Sequence, residues 1–285
     1  MEEFDSFSSK SWEEDQNRVH RELLEWLIPI DYGSQQTEFA RRRQPGTLQW
    51  FLDSDIYQKW IHADSDLDPE GQTQNHRTLF CPGPAGVGKT ILTSAVIQDL
   101  SRRFSKASDS NVGIAYLYCV YNRQEQQSTT NLLLGLLEQL LPNRTRRRFP
   151  TRLPHHTQDR FSPTMGLPSL DKIVKSLEGV VSKYDRVFFV VDALDECAAE
   201  DRNGLLKEIF RLQTFSEVHL FATADSDSDV KHMFAGKSSL SIQAKQEDVR
   251  SYLDQSMDEL PTFVKENPDL KEEIKDTITK AAPGR

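Results

Sequence analysis

The chain of 285 residues carries 35 Lys and Arg against 44 Asp and Glu, a formal net charge of −9. That acidic balance argues against general binding to nucleic acid or to an anionic membrane surface, and no apolar run approaches the roughly 20 residues of a membrane span. Three widely spaced cysteines, Cys81, Cys119 and Cys197, offer neither a disulfide framework nor metal-ligand spacing; with no signal peptide at the acidic, Ser-rich start, they point to a reducing, cytoplasmic setting.

In chain order, residues 1–11 read as a disordered tail. Val19, Leu23, Trp26 and Leu27 share one face of a helix over 12–27, which Pro29 ends. Asp31-Tyr32-Gly33-Ser34 reads as a turn, with Tyr32 and its loop placed to approach a bound base, and Arg41-Arg42-Arg43 follow. Thr47 is expected to cap a second helix carrying Trp50, Phe51, Leu52, Ile56, Tyr57, Trp60 and Ile61, whose aromatics are expected to pack rather than stack on bases. A polar loop over 64–76 then leads to the apolar run Thr78-Leu79-Phe80.

The next residues, Cys81-Pro82-Gly83-Pro84-Ala85-Gly86-Val87-Gly88-Lys89-Thr90, contain G-x-x-x-x-G-K-T from Gly83 to Thr90, and helical spacing of Ile91, Leu92, Ala95, Val96 and Leu100 follows. Strand, glycine loop and helix in that order form a phosphate-binding P-loop. Glycines let backbone N–H groups wrap a phosphate chain, and the positive end of the helix faces the same phosphates. On this reading Gly83, Pro84, Ala85, Gly86, Val87, Gly88 and Lys89 hold the nucleotide phosphates, and Thr90 ligates Mg²⁺.

Further along, 112–121 reads as a second strand, with Ile114, Tyr116 and Tyr118 alternating against Ala115, Leu117 and Cys119. A helix opens at Ser128 and carries Leu132, Leu133, Leu136, Leu137 and Leu140. Residues 143–168 read as a long surface loop holding Arg144, Arg146, Arg147, Arg148, Arg152 and His155-His156, taken as solvated rather than as a phosphate-clamping lid, a local nucleic-acid patch or a metal site. Leu170, Ile173, Val174, Leu177 and Val181 mark another helix. The run Val187-Phe188-Phe189-Val190-Val191 suits a central parallel strand. A helix over 202–212, a strand over 218–223 bearing His219 as a core or edge residue, a fifth strand over 240–244, and helices over 247–260 and 270–281 complete the chain. Alternating strands and helices predict an α/β three-layer sandwich with a mainly parallel five-stranded sheet and an N-terminal helical lead-in.

The central strand ends in Asp192-Ala193-Leu194-Asp195-Glu196. A hydrophobic strand ending in aspartate is the Walker B pattern, at the strand end where open α/β sheets bind ligands. Asp192 is expected to hold Mg²⁺ with Thr90, and Asp195 or Glu196 to orient and deprotonate an attacking water.

The spacing Asp192-x-x-Asp195-Glu196 after the P-loop resembles the NACHT class of STAND nucleoside triphosphatases, and Val191 through Cys197 resembles the fungal NACHT and nephrocystin-like N-terminal domains. Leu24-Glu25-Trp26-Leu27 with Asp31-Tyr32, Gly46-Thr47-x-x-Trp50-Phe51-Leu52 with Trp60, Tyr116-x-Tyr118-Cys119-x-Tyr121 and Glu247-Asp248-Val249-Arg250-x-Tyr252 are similar to further family segments. The resemblance implies a signalling switch that binds ATP or GTP with Mg²⁺, hydrolyses it slowly and forms a homo-oligomer on activation. It also implies an N-terminal effector and C-terminal repeats, which this chain lacks, so a truncated member or fragment is expected. The implied divisions are a tail 1–11, lead-in 12–75, P-loop core 76–245 and C-terminal helical segment 246–285. Two positions depart from the family pattern. Phe221-Ala222-Thr223-Ala224-Asp225 stands where the family's fourth strand usually ends in Thr-Ser-Arg, whose Arg senses the γ-phosphate, and Val120 stands where the second strand usually has an acid. Repulsion between Asp225 and phosphate is expected to weaken affinity or blunt hydrolysis. Two alternatives stay open: a non-hydrolysing nucleotide-binding scaffold, and a small-molecule or nucleotide kinase.

Overall fold

A computed structural model describes residues 30–63, 76–104, 111–141, 169–257 and 260–281. The expected tail 1–11, the helix over 12–27, nearly all of the 64–76 loop and the basic stretch 144–152 with His155-His156 lie outside the described residues.

The elements in order are α1 (Tyr32–Arg42), α2 (Gln49–Leu52), α3 (Asp55–Ile61), β1 (Thr78–Gly83), α4 (Lys89–Phe104), β2 (Val112–Tyr118), α5 (Thr129–Leu140), α6 (Leu170–Val181), β3 (Arg186–Asp192), α7 (Ala199–Leu212), β4 (Val218–Asp225), β5 (Ser238–Ser239), α8 (Gln246–Ser256), α9 (Thr262–Lys265) and α10 (Pro268–Ala281). The five strands form one sheet in the order β2-β3-β4-β1-β5, and every pairing is parallel. In β1 each residue is buried, and in β3 and β4 nearly all are, so helices cover both faces. This is the α/β sandwich that the alternation of elements predicts.

Several local expectations change. Asp31-Tyr32-Gly33-Ser34 begins a helix instead of a turn: the Asp31 carboxylate accepts from the Ser34 N–H at 3.0 Å and caps α1. Tyr32, expected to approach a bound base, is 5% exposed and packs into the core near Gly135. The single helix expected after Thr47 is two. Leu48 sits in the left-handed region (φ 64°), Ser54 supplies a new N-cap for α3, and the Thr47 hydroxyl turns back to the Gln44 carbonyl. The fifth strand occupies Ser238–Ser239, ahead of the expected 240–244, although Leu240 and Ile242 N–H still donate to the Phe80 and Pro82 carbonyls. The expected helix 247–260 stops at Ser256, and a short turn of helix follows at Thr262–Lys265.

The free edge at β2 is closed by side chains. Gln139 accepts from the Tyr116 N–H at 3.1 Å and donates to the Tyr116 carbonyl at 2.8 Å. Gln127 does the same for Val120, at 2.7 and 3.0 Å. Each carboxamide stands in for one residue of a neighbouring strand, at Tyr116 within β2 and at Val120 just beyond it, and so blocks pairing at those two points. The second of these pins the wall beside the site described below.

The lead-in shares the sheet's core. Trp60 is fully buried against Phe188 and Phe221 and donates to the Leu220 carbonyl at 3.1 Å. Tyr57 donates to Asp99 of α4 at 3.0 Å. The indole N–H of Trp50 and the Leu48 N–H both donate to Asp248 of α8, while Lys245 lies over the Trp50 ring. These aromatics pack, as their spacing predicts.

His219 lies fully buried in β4, its Nδ1 donating to the Trp60 carbonyl at 2.8 Å while Nε2 has no partner among the described residues. Burial pushes its imidazole pKa down to about 3, so the folded state holds it neutral. Folded pKa below unfolded means that stability is fully present above the unfolded value near 6.5 and falls as pH drops toward 3. His219→Gln should remove this contribution. Urea titrations should show wild type losing about 2–3 kcal/mol more than the variant between pH 7 and pH 4.5.

Candidate functional site

Everything in the site is set by how β1 ends. Gly83 is its last residue, and a Cβ there would lie 2.9 Å from the Val87 Cγ1 and 3.1 Å from both the Ile242 Cβ and carbonyl oxygen. Only glycine lets the loop fold back this closely. Gly86 (φ 77°) and Gly88 (φ 99°) occupy the left-handed region that side chains rarely adopt. Pro84 is partly buried and Ala85 exposed, and Val87 donates its N–H to the Pro84 carbonyl at 3.3 Å. The loop closes, and α4 starts at Lys89. The Lys89 ammonium donates to the Gly83 carbonyl at 2.7 Å and the Pro84 carbonyl at 3.1 Å, and lies 4.0 Å from the Asp225 carboxylate.

Asp192 ends β3 and is 2% exposed. Three threonine hydroxyls donate to it, each at 2.7 Å: Thr90 to Oδ2, and Thr93 and Thr223 to Oδ1. Burial pushes its carboxyl pKa up, and the three hydroxyls and the Lys89 charge pull it back. The arrangement is directional. Thr93 and Thr223 occupy Oδ1 from α4 and β4, which leaves Oδ2 turned toward Thr90. The strand order makes this possible, because β4 lies between β1 and β3 and carries Thr223 to the gap between the two motifs. Thr90 Oγ1 and Asp192 Oδ2 are hard oxygen donors side by side, a pair that suits a small divalent cation completed by water and phosphate oxygens. Among the described residues no group of three or more His, Cys, Asp or Glu could hold a metal ion unaided.

Beyond Asp192 the chain bends through Ala193 in the left-handed region (φ 52°), with its N–H donating to Thr223 Oγ1 at 2.9 Å. A 3₁₀ turn, Leu194–Glu196, follows. It separates the two carboxylates that spacing alone could not. Asp195 accepts from the Asp225 N–H at 2.9 Å and so braces the end of β4. Glu196 lines a cavity of 620 Å³ together with Thr90, Asp192, Tyr118, Val120 and Arg42. Cys119, on this wall, and Cys197 beside it are both buried, and the hydrogen bond with the neighbouring thiol, then burial, pushes the Cys119 thiol well up.

The structure thus brings residues 83–90 and Asp192 to one end of the sheet. Sequence reasoning missed Thr93, Thr223 and Arg42. The first two had a faint signal, hydroxyls at positions whose neighbours are apolar. Arg42 had none, since only the packing of α1 beside α4 puts it there.

A parallel sheet ordered β2-β3-β4-β1-β5, with a glycine loop after β1 and an aspartate ending the strand two places away, defines a P-loop nucleoside-triphosphatase fold. Within that class, residues 46–224 match the family described as Nephrocystin 3, N-terminal, and the chain belongs to that family. Comparison with curated proteins finds no match. Among solved structures, the chain is similar to Caenorhabditis elegans PCH-2 (16% identity, 79% of this chain and 51% of that one, TM-score 0.42). It is also similar to Aeropyrum pernix ORC1 in complex with DNA (17%, 75% and 55%, TM-score 0.46) and to Drosophila ORC bound to DNA (18%, 81% and 55%, TM-score 0.42). The chain spans about half the length of each. No helix among the described residues is long and apolar enough to cross a membrane.

The clamp on Asp192 makes a prediction that needs no ligand. Thr223→Val preserves shape but strips a buried carboxylate of one donor and the Ala193 N–H of its acceptor. Chemical denaturation should show a loss of about 1–3 kcal/mol, with a larger loss in the double variant that adds Thr93→Val.

Proposed function

We propose that the chain is a nucleoside-triphosphate-binding switch of NACHT type, taking ATP or GTP with Mg²⁺ and hydrolysing it slowly. The observation that carries this is the 2.7 Å contact between the Thr90 hydroxyl and Asp192 Oδ2, at the end of a loop that Gly86 and Gly88 turn at positive φ. In this reading the N–H groups of residues 83–89 bind the phosphates, and Lys89 leaves the Gly83 and Pro84 carbonyls to neutralise them. Thr90 and Asp192 hold the cation, whose contribution is to neutralise charge on the phosphates. Thr93 and Thr223 keep Asp192 oriented before any ligand arrives. Glu196 orients and deprotonates water, its place on the cavity favouring it over Asp195, which the Asp225 N–H engages.

The surrounding chain fits a switch. We read 12–75 as lead-in, 76–245 as the nucleotide core and 246–285 as a helical segment. The contacts of Trp50 and Leu48 with Asp248 link the lead-in to that segment. Nucleotide state would be transmitted through them, to effector or repeat domains and to an oligomer of the chain on activation.

One observation favours a second reading, binding without turnover. Asp225 places a carboxylate beside Lys89, where it opposes an incoming phosphate. Phosphate release separates the two: the switch reading requires slow release above background, and the scaffold requires none with binding retained. Lys89→Ala should abolish nucleotide binding in calorimetry, and retained wild-type affinity would contradict the site. Glu196→Gln should keep affinity within a few-fold and lower phosphate release by at least about 100-fold, as expected for loss of a general base; Asp195→Asn should instead lower thermal stability.

A further inference from the structure

We infer that Arg42, at the C-terminal end of α1, is the side chain that distinguishes nucleoside triphosphate from diphosphate in this site. The inference rests on the nucleotide-binding reading and adds a residue to it that neither motif contains.

The run Arg41-Arg42-Arg43 is divided by the fold. Arg43 is spent locally, its Nε and one Nη donating to the Thr47 carbonyl at 3.2 and 2.6 Å. Arg42 points elsewhere. It lines the 620 Å³ cavity with Thr90, Asp192 and Glu196, and it is the one cationic residue among those lining that cavity. Its approach is set by well-packed neighbours. One turn and a half back, the buried Gln36 donates to the Ser94 carbonyl of α4 at 3.1 Å and accepts from the Tyr118 hydroxyl. Phe39 packs on the Tyr118 ring with centroids 4.8 Å apart, and the Arg42 guanidinium lies 5.8 Å from the Phe39 centroid. Helix α1 is thereby fixed against α4, and Arg42 shares one cavity wall with Thr90.

The present partner of Arg42 is Glu38, one turn back on the same helix; the two side chains are 61% and 59% exposed. An exposed i,i+4 pair is weak and is readily exchanged for a doubly charged phosphate, which a guanidinium binds through two parallel N–H donors. The cavity otherwise presents two carboxylates, Asp192 and Glu196, which repel phosphate oxygens. Of residues 83–90 only Thr90 reaches this cavity, so on the nucleotide reading the terminal phosphate of a triphosphate would be the group to arrive there, where a cation would offset the two carboxylates, and a diphosphate would end short of it.

The plain alternative is that Arg42 only complements the negative end of α1 and caps it. The two roles separate by ligand. With the full chain and excess Mg²⁺, calorimetry on wild type, Arg42→Ala and Arg42→Lys would compare ADP with its β,γ-imido triphosphate analogue, and the guanine pair likewise. The inference expects Arg42→Ala to weaken triphosphate binding roughly 10- to 100-fold while diphosphate binding stays within about twofold, and Arg42→Lys to fall between. Equal loss for both nucleotides, or no loss for either, overturns the role of Arg42 and leaves the nucleotide reading standing. Wild type that binds neither the adenine nor the guanine nucleotides overturns both.

Discussion

A carboxylate buried at the end of a strand is the constraint from which the rest of this structure follows. Asp192 is almost fully removed from water, and an ion so placed is tolerated only when its lone pairs are filled. They are filled by hydroxyls from three positions on two other elements: Thr90 and Thr93 one turn of α4 apart, and Thr223 from β4. No local segment can supply that set. It requires α4 to begin at Lys89, which requires the glycine loop to close tightly after β1, and it requires β4 to lie between β1 and β3. The phosphate loop, the strand order and the acidic strand end are therefore one device. Disturbing any part orphans a buried charge.

The periphery serves the same end. The two glutamine side chains that imitate a strand along β2 hold Tyr116 and Val120 in place, and Val120 is part of the cavity wall. Helix α1 is locked to α4 through Gln36, and α3 to α4 through the Tyr57–Asp99 contact. Asp99 also receives Arg102 and Arg103 from its own helix, so the helix that presents Thr90 is braced at several levels.

Much of this was legible in the residues. Apolar runs located β1, β3 and β4, leucines at helical spacing located α5 and α6, and the glycine-lysine-threonine spacing located the loop, because each signal is local. What failed was non-local or competed with a local rule. Asp-Tyr-Gly-Ser reads as a turn by composition, yet Asp31 caps a helix whose Tyr32, Gln36 and Phe39 are held by distant residues. Ser238–Ser239 pairs as a strand because Leu79 and Phe80 present a free edge, not because serines favour strands. Thr93 and Thr223 look like ordinary β-branched core positions until β4 is known to neighbour β3. Asp195 and Glu196 are equivalent on paper, and the Asp225 N–H on the one and the cavity beside the other tell them apart.

The account stands or falls on whether the Thr90 and Asp192 oxygens accept a cation in place of their mutual hydrogen bond. The most direct measurement is a crystal structure of the chain grown with Mg²⁺ and a β,γ-imido nucleoside triphosphate. The account predicts a cation about 2.0–2.1 Å from Thr90 Oγ1, with Asp192 Oδ2 bound to it directly or through one water. Thr93 and Thr223 should still donate to Oδ1, and the phosphates should lie along residues 83–89. A nucleotide bound elsewhere, or a cation with the Thr90–Asp192 hydrogen bond intact, would contradict it.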